Sequence, residues 1–189
     1  MDAIELLTAD HNRVRGLFAR FREAHEGKDD VTAIEVAGKI FDELKVHTTI
    51  EEEVFYPAVH DASEEIGETV DEGLEEHHVV DGLMEELGQV EPAGDEWNAK
   101  MTVLIENVEH HAEEEEKSLF PPVKGAFDAA ALEGLAQKLE QRKAALGAPV
   151  LADKIDLTKE ELLELAKAQE IPGRSKMSQE ELAATVSPV

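Results

Sequence analysis

Apolar positions recur along this chain at three- and four-residue intervals, and alternating apolar-polar runs bounded by turn residues are missing. The pattern predicts an all-α protein. A first helix spans about residues 2 to 25, with Asp2 as a candidate cap and Ile4, Leu7, Val14, Phe18 and Phe21 at helical spacing. GKDD at 27 to 30 breaks it. A second helix runs from about 31 to 56 and carries Ile34, Ile40, Phe41, Leu44 and Val54. Pro57 is expected to end it, because a proline ring disfavours a helical residue before it. A third covers roughly 64 to 90 and is closed by EPAGDE at 91 to 96. A fourth begins near Asp95, runs through Trp97, Met101, Leu104, Ile105 and Val108, and is expected to stop at Pro121-Pro122. Four long helices with short loops suit an up-down-up-down four-helix bundle.

After Pro122 an additional helix is expected from Phe127 to about Leu146, packed across the bundle or against another subunit. GAPV at 147 to 150 reads as a linker. Beyond it lie two short helix signals, each opened by a capping box, TKEE at 158 and SQEE at 178. The expected organisation is a bundle over 1–125, a fifth helix over 126–147 and a small C-terminal two-helix tail over 156–189. That tail resembles the helix-loop-helix motif at the start of the Rho transcription terminator and of SAP-like modules. From Asp156 onward it holds seven acidic and four basic residues, so docking to a protein partner or self-association is expected of it, and nucleic-acid binding is not.

The bundle repeats itself. DHNRVRGLFARF from Asp10 aligns with EHHVVDGLMEEL from Glu76, and HTTIEEEVFYP from His47 aligns with HAEEEEKSLFP from His111. In the latter pair a histidine is followed four residues later by glutamate and ten residues later by proline. Helices 1 and 2 therefore read as a duplicated copy of helices 3 and 4, which would bring His11, His47, His77, His111, Glu51 and Glu115 toward one point.

Helical phase gives a second test, because an α-helix turns about 100° per residue. His47 and Glu51 fall near the centre of the stripe made by Ile40, Leu44 and Val54, and His111 and Glu115 sit with Leu104, Val108 and Leu119. His77 lies nearer the stripe than His78, while His110 and Glu114 point away. A single such histidine is ordinarily a core residue with a hydrogen-bond partner. Four inward histidines and two inward glutamates in twofold arrangement are another matter, since bare carboxylates in an apolar core are costly and no Arg or Lys is placed to neutralise them. His25, His60, His78 and His110 keep the ordinary reading. Tyr56, the only tyrosine, adjoins the helix 2 site, where a redox or supporting role is one reading; helical phase from His47 points it away from the centre, so packing at a helix end is expected.

Composition bears on the chemistry. The chain has 189 residues and no cysteine, so any metal must be held by His, Asp, Glu or Tyr. Its formal net charge of −26 should repel duplex nucleic acid and anionic membranes. MDAIELLTADHNR lacks a basic segment followed by an apolar one, and no uncharged apolar run approaches the roughly 20 residues needed to span a bilayer. A cytoplasmic protein is expected. Nitrogen and oxygen ligands suit Fe, Mn or Zn, and six are too many for one tetrahedral zinc and too few to saturate two octahedral ions. Two ions with open positions follow; if Glu51 and Glu115 bridge, His11 and His47 fall to one ion and His77 and His111 to the other.

The D-H near the start of helix 1, the H-x-x-x-E ending in aromatic-proline on helix 2, the His early in helix 3 and the second H-x-x-x-E on helix 4 resemble the hemerythrin-like, or HHE cation-binding, family. The likeness covers residues 1 to about 125. It implies a four-helix bundle with two non-haem iron ions, oxo- or hydroxo- and carboxylate-bridged. Ferritin-like proteins use two Glu-x-x-His motifs, and here only Glu75 to His78 fits. The family's oxygen carriers have a fifth histidine four residues from the one on helix 3, where this chain has Gly73 and Asp81, and a five-residue His-to-Asp pair on helix 4, where it has His111 and Glu115. One iron is thereby less saturated. The resemblance implies binding or turnover of O2, H2O2 or NO, in a catalase-, peroxidase- or NO-reductase-like manner. A redox, oxygen or iron sensor signalling through the tail, and an iron store, are the alternatives.

Overall fold

The computed structural model describes residues 1–148, 159–169, 171, 173–177 and 182. Every element among them is helical: α1 (Ala3–Glu26), α2 (Asp30–Ile50), a π-helical turn (Glu51–Phe55), α3 (Tyr56–Val59), a 3₁₀ turn (His60–Ala62), α4 (Glu64–Leu87), α5 (Asp95–Glu114), a second π-helical turn (Glu115–Leu119), α6 (Phe120–Ala126), α7 (Ala129–Ala145), α8 (Lys159–Ala168) and a 3₁₀ turn (Arg174–Lys176). The fold class is all-α, as the periodicity predicts. The helices distribute over two compact units, one of Met1–Ile4 with His47–Leu139 and one of Glu5–Val46 with Glu140–Val189. No helix among the described residues is long and apolar enough to cross a membrane.

The unit containing His47–Leu139 is built on the antiparallel pair α4 and α5. Ser63 caps α4 by accepting from the Ile66 N–H at 3.2 Å. Lys100 bonds Glu86 at 2.5 Å near the loop end of the hairpin. Ile66, Val70, Val80 and Leu87 from α4 are buried, as are Trp97, Met101, Leu104 and Ile105 from α5. Phe55 and Phe120 meet edge to face in the same core, with ring centroids 6.0 Å apart.

The two prolines do not end their helices. The N–H of Tyr56 donates to the Glu51 carbonyl and that of Phe120 to the Glu115 carbonyl, each closing a ring one residue wider than an α turn. Pro57 and Pro121 follow, without an N–H to give and with a ring that would strike the carbonyl four residues back. Widening the preceding turn moves that carbonyl aside, and the chain continues as α3 and α6. The sequence repeat is therefore also a repeat of backbone geometry, and each wide turn opens on its glutamate.

In the other unit Asp29 caps α2, accepting from the Thr32 N–H at 3.1 Å and from its hydroxyl at 2.7 Å; these bonds hold its carboxyl below the usual range. That cap explains the break at GKDD. Leu6, Leu7, Val14, Leu17, Phe18 and Phe21 form the buried face of α1. On α2 as far as Val46 the buried set is Ala33, Val36, Ala37, Ile40 and Leu44, whereas Ile34, expected in the stripe, is 42% exposed. In the C-terminal part, Leu162, Leu165 and Ala166 of α8 cluster with Leu182. Pro149 and Val150 of the expected linker, Thr158 of the first capping box, the box opening at Ser178 and most of the second tail helix lie outside the described residues.

Candidate metal centre

The last turn of α2 presents His47, and the first wide turn opens on Glu51 four residues later. His77 projects from α4, His111 from the last turn of α5, and Glu115 opens the second wide turn. All five are buried, Glu51 completely. His47 Nε2 lies 3.2 Å from Glu51 Oε2, and His77 Nε2 lies 3.4 Å from the same oxygen. His77 Nε2 and His111 Nε2 approach to 3.1 Å, and His111 Nε2 is 3.7 Å from Glu115 Oε2. Candidate ligand atoms of Glu51, His77 and His111 all lie within 4.8 Å of one another, as do those of His47, Glu51 and Glu115. Glu51 belongs to both sets.

The outward nitrogens explain the inward ones. His77 Nδ1 donates to Glu52 Oε1 at 2.9 Å, and His111 Nδ1 donates to Glu76 Oε2 at 2.7 Å. A carboxylate only accepts, so these partners assign the Nδ1–H tautomer and leave a lone pair on each Nε2. Two such lone pairs then face each other at 3.1 Å beside the Glu51 carboxylate, an arrangement that repels unless a cation lies between them. Two ligands at a right angle on one ion, with metal–nitrogen bonds of about 2.1 Å, sit roughly 3.0 Å apart, so the spacing fits a shared ion. Carboxylates on the far ring nitrogens are what metal-binding histidines ordinarily require for orientation. Burial, with His111 adding to it, lowers the basicity of His77, which keeps its ring in the neutral, ligating form.

Tyr56 departs from expectation. It is 2% exposed, its ring stacks on His77 at a centroid distance of 5.6 Å, and its hydroxyl donates to Glu115 Oε1 at 2.9 Å. Helical phase failed because the wide turn inserts a residue between His47 and Tyr56, rotating everything beyond it by roughly the 100° that one residue is worth. Burial, then the Glu115 and Glu51 charges, push the phenol well above its usual value of 10.0, so it remains protonated and donates. Gly73 makes this possible: a Cβ there would lie 2.9 Å from the Tyr56 hydroxyl and 3.4 Å from His111 Cε1.

His11 is buried on α1, in the other unit. The side chains of His78 and His110 are 69% and 70% exposed. His60 bonds Asp61 and Asp71 at the surface, and His25 is exposed beside Phe21. Glu52 and Glu76 were the partners that periodicity missed. A signal existed only for Glu76, which occupies the place of Asp10 in the repeat.

The family model described as the hemerythrin HHE cation-binding domain matches residues 2–123. The chain is similar to a DNA nickase of Nostoc sp. (strain PCC 7120 / SAG 25.82 / UTEX 2576), 28% identical over 143 residues that make up 76% of this chain and 39% of the nickase. It is also similar to uncharacterized proteins of Mycobacterium bovis (strain ATCC BAA-935 / AF2122/97) and Mycobacterium tuberculosis (strain ATCC 25618 / H37Rv), each 31% identical over 146 residues, 75% of this chain and 85% of theirs. The chain thus spans well under half the length of the nickase. No solved structure matches it significantly.

Proposed function

The chain belongs to the hemerythrin HHE cation-binding family, and from that premise we propose that it holds two non-haem iron ions and binds or turns over O2, H2O2 or NO in the cytoplasm. The observation carrying this reading is the pair of lone-pair-bearing imidazole nitrogens, His77 Nε2 and His111 Nε2, 3.1 Å apart beside Glu51. His77 and His111 would hold one ion, His47 and His11 the other, with Glu51 and Glu115 bridging; His11 enters by its register in the sequence repeat. Bound iron would supply Lewis acidity and one-electron redox chemistry toward a small oxidant. The protein supplies the rest. Glu52 and Glu76 orient the imidazoles, the apolar core limits water, and Tyr56 keeps a proton donor at Glu115 Oε1.

The Gly73 position supports turnover over reversible oxygen carriage, since the space where a further histidine would begin is filled by the Tyr56 hydroxyl. The nickase activity in the name of the Nostoc relative is not carried over, because most of that protein lies outside the match. Iron-loaded protein mixed anaerobically with peroxide or with NO, and followed by optical spectroscopy, tests the reading. A spectral change at the iron with at least one of the two is expected, and an unchanged spectrum with both contradicts it. A second reading is a sensor acting through the C-terminal region, which lies beyond residue 123, where the family match ends. Removing residues 156–189 separates the two: a catalyst keeps its turnover, and a sensor keeps its spectrum while losing its partner.

A further inference from the structure

Asp10, the residue before His11, is 3% exposed, and Lys143 in the last turn of α7 is 8% exposed. Lys143 Nζ donates to both carboxylate oxygens of Asp10, at 2.5 and 2.6 Å. Two buried charges so paired carry a desolvation penalty, and that penalty is offset only by close geometry of this kind. The second copy of the repeat uses the same position differently. There Glu76 stands where Asp10 does, and its carboxylate accepts from an imidazole, His111 Nδ1, at 2.7 Å. In the first copy the carboxylate is instead held by an ammonium from a helix that lies beyond residue 123, where the family match ends. The next turn is tied down as well, by Arg13 Nε to Glu43 at 2.8 Å.

We propose that Lys143 is a positioning residue for the metal centre. By clamping Asp10 it fixes the turn of α1 that carries His11, so α7 is part of the centre's scaffold. The inference rests on the reading of His11 as a ligand.

The test uses the full-length, iron-loaded protein and follows iron release to a chelator well below the unfolding temperature, with circular dichroism reporting that the helices remain. Lys143→Met is expected to release one of its two irons several-fold faster than the unaltered protein, the second leaving at the unaltered rate. Lys143→Arg, which can still grip both oxygens, is expected to restore slow release. A merely structural role would lower the unfolding temperature without splitting the release into two phases. Should Lys143→Met alone fail to fold, the Asp10→Asn/Lys143→Met pair, which leaves no uncompensated charge, carries the same expectation. Uniform release at the unaltered rate, or equal acceleration of both irons, overturns the proposal. His11→Ala separates the failures: retention of both irons there refutes His11 as a ligand, whereas loss of one iron there with slow release from Lys143→Met refutes the role of Lys143 alone.

Discussion

Replacing Gly73 with alanine sets two effects of opposite sign against each other. In an exposed helix interior the change ordinarily stabilises by about 1 kcal/mol, because glycine loses more backbone freedom on folding. At Gly73 the new Cβ would lie 2.9 Å from the Tyr56 hydroxyl, closer than real contacts allow, and that hydroxyl donates to the buried Glu115 carboxylate at 2.9 Å. Forcing extra volume into a packed core costs about 1–3 kcal/mol. Displacing a hydrogen bond to a charged group costs about 1.5–3 kcal/mol more. The steric and polar losses win, and Gly73→Ala should be destabilised by about 1.5–5 kcal/mol. At Gly82 on the same helix an added Cβ would meet nothing within 4 Å, so Gly82→Ala should instead gain up to about 1 kcal/mol. Urea unfolding of the metal-free proteins, followed by circular dichroism, measures both. Tyr56→Phe removes the obstructing oxygen, so adding Gly73→Ala to it should cost nothing further, and the pair should show strong non-additivity. A Gly73→Ala protein as stable as the parent, or additive effects in the double variant, would show that the Tyr56 hydroxyl does not obstruct this position.

Three further outcomes are expected. Glu51→Ala or Glu115→Ala should lose bound metal, seen by elemental analysis, whereas His78→Ala and His110→Ala, whose rings lie at the surface, should keep it. Because Tyr56 is the only tyrosine, phenolate absorbance reports it alone, and the folded protein should show none as pH rises past 10.0. The unfolded chain ionises there and the folded chain does not, so stability should fall as pH rises above the ordinary phenol value; a phenolate signal near 10.0 in folded protein contradicts the burial of this ring.

Helical phase and the internal repeat picked out the same buried histidines and glutamates because both depend on short-range regularity, which a sequence displays directly. That regularity broke at Glu51–Phe55 and Glu115–Leu119, where Pro57 and Pro121 widen the turn instead of ending the helix. Tyr56 was consequently aimed the wrong way. Glu52 could not be told from its acidic neighbours, since only the far nitrogen of His77 distinguishes it, whereas Glu76 carried a signal in occupying the place of Asp10 in the repeat. The bond between Asp10 and Lys143 joins residues 133 apart and leaves no periodic trace. Ile34, by contrast, shows an apolar residue at core spacing near a helix start that the fold leaves in solvent.

Whether four imidazoles and two carboxylates hold a pair of iron ions is answered by counting metal in protein purified without chelators. About two irons per folded chain are expected. A well-folded chain that carries no iron, or a single zinc, would contradict that expectation.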